Sequence, residues 1–404
     1  MQSRGAFRYT SGMKNLVERF FARLGRGFLA FVKREPVLFA AIFLAAVAAA
    51  LVRPQPSLYV QAIDFRTLAI LFCLMLVIKA FQSQNYLDFA AARLTRLCKS
   101  LRSLYFLLTS IVFFSSMLVT NDVALLTFVP ISILIFKNLG FPCANLIVLE
   151  TLAANLGSCA TPMGNPQNLY LFSKYEFSAA EFFGLTAKIA VPSLFALLAL
   201  AVFFTKKAPG QIDKINPEEL QNHRVFVKWN FKTFLYAANF VICLLTVFRA
   251  LDWRIMLAVT LVLAVVCDAR LLKKVDYSLL FTFAGFFIFT KTLSTVPAFS
   301  DFLQGALKSR LSTYIAGIAA SQVISNVPAA LLLSAFAQDG AALLLAVNAG
   351  GLGTLIASMA SVISFKLYST SDEAKSPDAP NYMSIFTLWN AALLLVIGTL
   401  AYLL

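Results

Sequence analysis

Four short polar segments interrupt an otherwise apolar chain, and each is built from residues that can hold an ion or small solute. They are Val119-Thr120-Asn121-Asp122, the stretch from Gly157 to Asn168, Ile324-Ser325-Asn326-Val327-Pro328, and the stretch from Asn348 to Thr354. The second contains Gly157, Thr161, Pro162, Gly164, Asn165 and Pro166, and the fourth contains Gly350, Gly351 and Gly353. Hydroxyl and amide side chains are neutral ligands for either sign of charge. Glycine lets a ligand approach the backbone closely, and proline frees the carbonyl one turn back. A helix broken at such a point aims N–H groups at anions and carbonyls at cations. The chemistry on offer is binding and release of a small charged solute. Bond-making chemistry would need a base beside a nucleophile, and no His, Cys or Lys pair lies near the breaks. Small residues also let helices pack closely, which would account for Gly350 and Gly351 alone. Four breaks in matching positions favour a cavity.

The elements that position these breaks must cross a membrane. Of 404 residues, 60% are hydrophobic and 13% charged, and the mean hydropathy is +0.79. A soluble domain cannot cover its surface with so little charge. Apolar blocks near 36–52, 66–81, 144–172, 185–205, 233–250, 253–268, 277–293, 341–368 and 384–404 read as spans. The stretches 104–137 and 311–337 carry a polar break at their middle and read as re-entrant helical hairpins, with arms of roughly 15 residues, short for a crossing. Irregular backbone at membrane depth survives only around a cavity, because unpaired polar groups are costly in hydrocarbon.

The chain also repeats itself. Asp64 and Lys79 stand at the same offset as Asp276 and Lys291, Thr120-Asn121 matches Ser325-Asn326, and the segment Asn155 to Thr161 matches Asn348 to Thr354, all in the same order. Five crossings separate the starts of the 66–81 and 277–293 spans, so the halves are expected in opposite orientation, as in transporters of inverted repeats. The expected architecture is therefore an all-α polytopic membrane protein of two inverted repeats, each with a re-entrant hairpin and a broken transmembrane helix. Its parts are a basic tail (1–35), a first repeat (36–205), a loop and linking helix (206–252) and a second repeat (253–404).

The net charge of +15 is concentrated at one set of loops. The tail holds eight basic residues against Glu18 and Glu35, and further clusters fall at 93–102, 206–232 and 270–274. This asymmetry places the N-terminus in the cytoplasm of a cell with a cytoplasmic (inner) membrane and removes the reason to invoke nucleic acid. A mitochondrial transit peptide would share the Arg-rich composition, but Glu18 and Glu35 interrupt it. The cysteines show no paired spacing, and the one histidine, His223, lies in a polar loop, so neither a disulfide framework nor a metal site is expected.

At the hairpin tips and the Thr161-Pro162-Met163-Gly164-Asn165-Pro166-Gln167-Asn168 run, the sequence resembles the ion transporter superfamily, which includes divalent-anion/sodium symporters, citrate carriers, arsenite permeases and some sodium/proton antiporters. The resemblance covers the chain from about residue 36. It implies that Thr120, Asn121, Ser325 and Asn326 bind substrate and coupling ion. Gly157, Thr161, Asn165, Gly350 and Thr354 would then supply facing carbonyls and hydroxyls, and Asn155, Gly164, Asn348 and Gly351 complete the breaks. A coupling Na⁺ would lie near Asn121, Asp122 and Asn326. Dicarboxylate symporters carry Ser-Asn-Thr at both tips, whereas Asp122 and Val327 stand third here. That departure weighs against plain dicarboxylate/sodium symport and looks more like the arsenite-permease and antiporter branches.

Two acids break the repeat symmetry, since Asp122 faces Val327 in the alignment and Glu150 faces approximately Leu343. Asp122 reads either as the coupling-ion ligand or as the cap of the second hairpin arm. Glu150 reads either as functional or as a side chain snorkelling to the interface. Lys79 and Lys291 read as anchors or as attractors of anions. The stretch from Asp88 to Arg102 looks like an interfacial amphipathic helix. The expected function is cation-coupled carriage of an organic acid or oxyanion by alternating access, with Na⁺/H⁺ antiport second and a channel third. No cofactor is expected beyond Na⁺ or H⁺ as coupling ion. Its partners would be a small-molecule or ion substrate and the lipid bilayer, with a homodimer as the assembly to test.

Overall fold

A computed structural model describes residues 32, 35–84, 89, 98, 100–206, 231–376 and 380–404. The basic tail up to residue 34 (residue 32 apart), most of the stretch from Asp88 to Arg102, and His223 lie outside the described residues.

Every regular element among the described residues is helical. In chain order these are α1 (Pro36–Val52), α2 (Pro56–Ala62), α3 (Phe65–Ser83), α4 (Leu101–Val119), α5 (Asn121–Leu139), α6 (Ala144–Ser158), α7 (Pro166–Lys174), α8 (Ala179–Lys206) and α9 (Phe231–Val247). They continue with α10 (Trp253–Asp268), α11 (Tyr277–Ser294), α12 (Pro297–Ala306), α13 (Arg310–Ile324), α14 (Asn326–Leu333), α15 (Gly340–Ala349), α16 (Met359–Ser369) and α17 (Tyr382–Leu403). Short 3₁₀ turns follow α10 and flank α16. Among the described residues seven helices are long and apolar enough to cross a membrane: α3, α4, α5, α8, α10 with its 3₁₀ extension, α11 and α17. The chain is a multi-pass membrane protein.

Local chemistry sets the boundaries. Asp64 caps α3 by accepting from Thr67 N at 3.0 Å, and its repeat counterpart Asp276 accepts from Leu279 N at 3.1 Å at the start of α11. Capping boxes of Ser100 with Ser103 and of Ser309 with Ser312 start α4 and α13. Asn165 and Asp339 cap α7 and α15. Two helices escape the hydropathy reading, α2 and α12, because each is short, and each begins at a proline in the first turn.

The hairpins are less alike than their patterns suggest. Both arms of the first, α4 and α5, have 19 residues, not about 15, so each spans about 28 Å. The capping box starts α4 before the apolar run begins, and Pro130 sits inside α5 without ending it. In the second hairpin α13 has 15 residues and α14 only eight. A hairpin returns the chain to the side it left whether or not its arms cross, so the longer arms do not alter the parity of the other spans.

The described chain forms two compact units. One holds α1, α2 and α11 up to Leu293, with Gly285 against the Ala41 backbone. The other runs from Asp64 to Val275 and from Ser294 to Leu404. At the centre of this second unit lies α6, buried at every residue but Asn145 and packed against α4, α5, α8, α16 and α17. A helix surrounded on all sides can carry polar groups only where neighbours satisfy them. Its polar residues accordingly mark the site.

Candidate functional site

All four polar segments lie in the second unit. At both hairpin tips the chain turns on a single residue with positive φ, Thr120 (72°) and Ser325 (74°). Their ψ values are 152° and 154°, a region that residues with a Cβ seldom occupy. The tight turn lets α5 and α14 begin immediately at Asn121 and Asn326. Asp122 is therefore not the cap of α5. Thr120 holds the cap position because the helix resumes a residue earlier than the sequence suggested, and half-buried Asp122 lies in its first turn. Asn121 Oδ1 accepts from the Asp122 N–H at 2.9 Å.

The breaks are held to the hairpins by matching contacts. Thr161 donates to the carbonyl of Met117, three residues before the first tip. Thr354 donates to the carbonyl of Gln322, three residues before the second, at 3.0 Å. Gly157 lies against Phe113 and Ser116, and Gly350 against Ser321, where Ser116 and Ser321 each stand four residues before a tip. A Cβ on Gly157 would overlap the Phe113 carbonyl, which explains why only glycine fits there. Gln322 has no counterpart in kind at Met117: its Nε2 donates to the carbonyls of Gly350 and Leu352, both at 2.9 Å, and its Oε1 accepts from Thr354 N.

The two broken helices cross-link through their asparagines. Asn155, near the end of α6, accepts from Ser358 Oγ at 2.9 Å and donates to Ser361 Oγ at 3.1 Å. Those serines are the cap and third residue of α16, the second segment of the other broken helix. Asn348, near the end of α15, accepts from Asn165 Nδ2 at 3.3 Å and donates to Asn168 Oδ1 at 2.7 Å. Asn165 and Asn168 are the cap and third residue of α7. In both halves the partners stand 10 and 13 residues beyond the asparagine they match in the repeat. Each half thus holds the helix start of the other.

Tip and break join in the same network. Asn121 Nδ2 donates to Asn155 Oδ1 at 3.2 Å, and Asn121 N to the Gly164 carbonyl at 3.2 Å. Asn326 lies against Gly351, where a Cβ would be 2.9 Å from its Nδ2. Ser325 reaches the Ala357 carbonyl at 3.4 Å. Thr354 is exposed, and both it and Thr161 spend their hydroxyl protons on the hairpins. Sequence reasoning missed Ser358, Ser361 and Gln322, and quoted Asn168 without giving it a role. The serines were findable by adding to Asn348 the interval that separates Asn155 from Asn165.

Glu150 does not snorkel. It is fully buried on α6, and Ser132 of α5 donates to its Oε1. Thr151 beside it bonds Ser364 of α16, which in turn bonds Tyr382 at 2.8 Å. Lys79 is half-buried and donates to Gln82, while Lys291 is exposed. The cysteines are free, and all but Cys267 are buried as small apolar residues.

Comparison with known proteins gives this arrangement a family. The family model described as Citrate transporter (CitMHS) matches residues 28–363. An uncharacterized transporter of Methanocaldococcus jannaschii is 31% identical over 316 residues, covering 78% of this chain and 84% of the relative. Inner membrane protein YbiR of Escherichia coli is 32% identical over 321 residues, covering 77% of this chain and 82% of that protein. A putative transporter, arsB, of Dictyostelium discoideum is 25% identical over 178 residues, covering 42% and 32%.

Proposed function

Because the chain belongs to the citrate transporter family, we propose that it carries a small anion, an organic acid or an oxyanion, across the membrane by alternating access, coupled to Na⁺ or H⁺. The observation that carries this reading is the convergence of helix starts on a neutral amide cluster. The starts of α5 and α16 meet at Asn155, and the start of α7 is held by Asn348. Helix N-termini favour negative charge, and neutral amides do not oppose it. Asp122 in the first turn of α5 would repel an anion when ionised, so a coupling cation, held near Asn121, Asp122 and Asn326, would offset it. The contacts shared at equal offsets support two repeats, and loop charge supports their inverted orientation with the N-terminus in the cytoplasm. The Escherichia coli relative, an inner membrane protein by name, supports a cytoplasmic (inner) membrane.

Sodium/proton antiport is the second reading, favoured by the placement of Asp122 on the dipole end of α5. The deciding measurement is internal pH in proteoliposomes of the purified protein, first with Na⁺ alone and then with Na⁺ plus citrate, other organic acids and oxyanions. Anion-dependent proton movement is expected. Proton movement with Na⁺ alone would transfer the assignment to antiport. Asp122→Asn is expected to abolish gradient dependence, and its persistence would remove Asp122 from the ion site.

A further inference from the structure

Glu150 takes no part in the amide cluster, yet it lies on the same helix five residues before Asn155, about 7.5 Å along the axis. Its Oε1 accepts from Ser132 Oγ, and its Oε2 has no hydrogen-bond partner. Among the described residues no Lys, Arg or His lies within ion-pairing distance of it. The titratable groups near enough to feel its charge are Tyr105 of α4, Cys143 before α6 and Tyr382 at the start of α17, none of them cationic. From the turn after α16, Glu373 is spent on the N–H groups of Cys143 and Ala144 at the start of α6, with Tyr368 of α16 beside it. An ionised carboxylate in this position would be a buried charge without compensation, which is costly. The packed arrangement is that of the neutral acid.

The position of this acid matters more than its burial. Three helices meet around it: α6 carries it, α5 supplies Ser132, and α16 is tied to the next residue through Thr151 and Ser364. The same three helices meet at the cluster, where Asn121 starts α5, Asn155 ends α6 and Ser358 caps α16. Any event that loosens this seam acts on both places. Solute binding at the cluster and proton loss at Glu150 therefore bias one set of helix contacts, which is the requirement for coupling.

We propose that Glu150 takes up and releases the coupling proton. The packed seam is its protonated form, and movement of α5 or α16 away from α6 lets water reach the carboxyl and accept the proton on the opposite side. The proposal rests on the reading of the chain as a cation-coupled carrier and adds a proton site at Glu150 to the cation held near Asp122.

The test has one arm that needs no substrate. Infrared difference spectra of the purified full chain, taken across a pH series, should show a protonated carboxyl band that titrates in the wild type and is missing in Glu150→Gln. Ser132→Ala keeps the carboxyl and should shift that band. A band that never titrates, or is unchanged in Glu150→Gln, overturns the proposal. In proteoliposomes with labelled citrate, Glu150→Gln should retain exchange against internal citrate and lose at least about tenfold in accumulation driven by a pH gradient. Accumulation equal to the wild type overturns it. Should the wild type carry no citrate, citrate fails as the substrate, and the infrared arm still decides whether Glu150 exchanges its proton.

Discussion

The first half of the site, α4 to α7, and the second, α13 to α16, share several contacts at the same residue offsets, yet they differ in charge. Thr120 and Ser325 turn the tips, Thr161 and Thr354 tie the breaks to them, and Asn155 and Asn348 reach across to the other half. Against this shared frame, Asp122 and Glu150 face Val327 and Leu343 in the alignment. The repeated part is the part that ties tips and breaks together. The unrepeated part is ionisable, and a carrier needs only one ion-linked acid on either side of a seam to couple movement to a gradient.

The largest expected effect comes from filling the space under a break. Gly157→Ala puts a methyl group into the Phe113 carbonyl, and backbone on both sides has to shift. Its cost should reach or exceed the upper end of the about 1–3 kcal/mol typical of overpacking. Gly350→Ala meets the side chain of Ser321 as well as backbone, and Ser321→Ala should relieve part of it. Thermal unfolding in detergent compares Gly157→Ala, Gly350→Ala and the double variant Gly350→Ala with Ser321→Ala. Equal tolerance of both glycine substitutions would mean that the two breaks are not packed alike.

Next come the crossed asparagines. Asn155→Ala strips partners from Asn121, Ser358 and Ser361, whereas Asn348→Ala leaves Asn165 with Ser158 and Asn168 with two carbonyls. Unsatisfied buried groups cost about 1–3 kcal/mol each. Asn155→Ala should be the more damaging in melting temperature and in anion flux, and the reverse order would break the assignment of the tip to Asn155.

Smaller and opposite in sign are Thr120→Gly and Ser325→Gly. Each removes a Cβ from a strained tip and should raise stability by about 1 kcal/mol, read in the same melting experiment, while flux falls with the loss of the hydroxyl. A loss of stability at one tip only would show that its side chain contributes more than its strain costs.

The smallest effect belongs to the surface. Lys137, at the end of α5, bonds Asp372 at 2.7 Å and holds that carboxyl below its ordinary value of 3.8. A lowered carboxylate stabilises above its unfolded value, and the contribution disappears as pH falls through the folded one. Both groups are exposed, so Lys137→Ala should lower the melting temperature near neutral pH only slightly. That small difference should vanish as pH falls through the folded value of Asp372, where the two pH–stability curves converge, and a large change at neutral pH would contradict this weighting.

Much of the frame was readable in the residues. Apolar blocks placed α1, α3, α9, α10, α11 and α17 within a few positions, and α8 apart from its first turns, because length in hydrocarbon is a direct function of composition. The tips and breaks were readable because Gly, Pro and Asn inside apolar runs have few other uses. Helix boundaries set by hydrogen bonds were harder to read. The serine capping box that lengthens α4 and the turn at Thr120 that denies Asp122 the cap position depend on backbone angles that composition does not report.

Residue types and their spacing thus determined by themselves that the chain is a multi-pass helical membrane protein with two matching sets of polar breaks. They also singled out Asp122 and Glu150 as the acids that break the match. Only the tertiary structure decided which partners those polar groups have. Ser358 meets Asn155 across 203 residues, and Glu150 is fully buried on a helix packed against α4, α5, α8, α15, α16 and α17. Hydrophobicity is summed along the chain and survives in the sequence, whereas hydrogen bonding is short-ranged and directional, and its pairings exist only once the helices have packed.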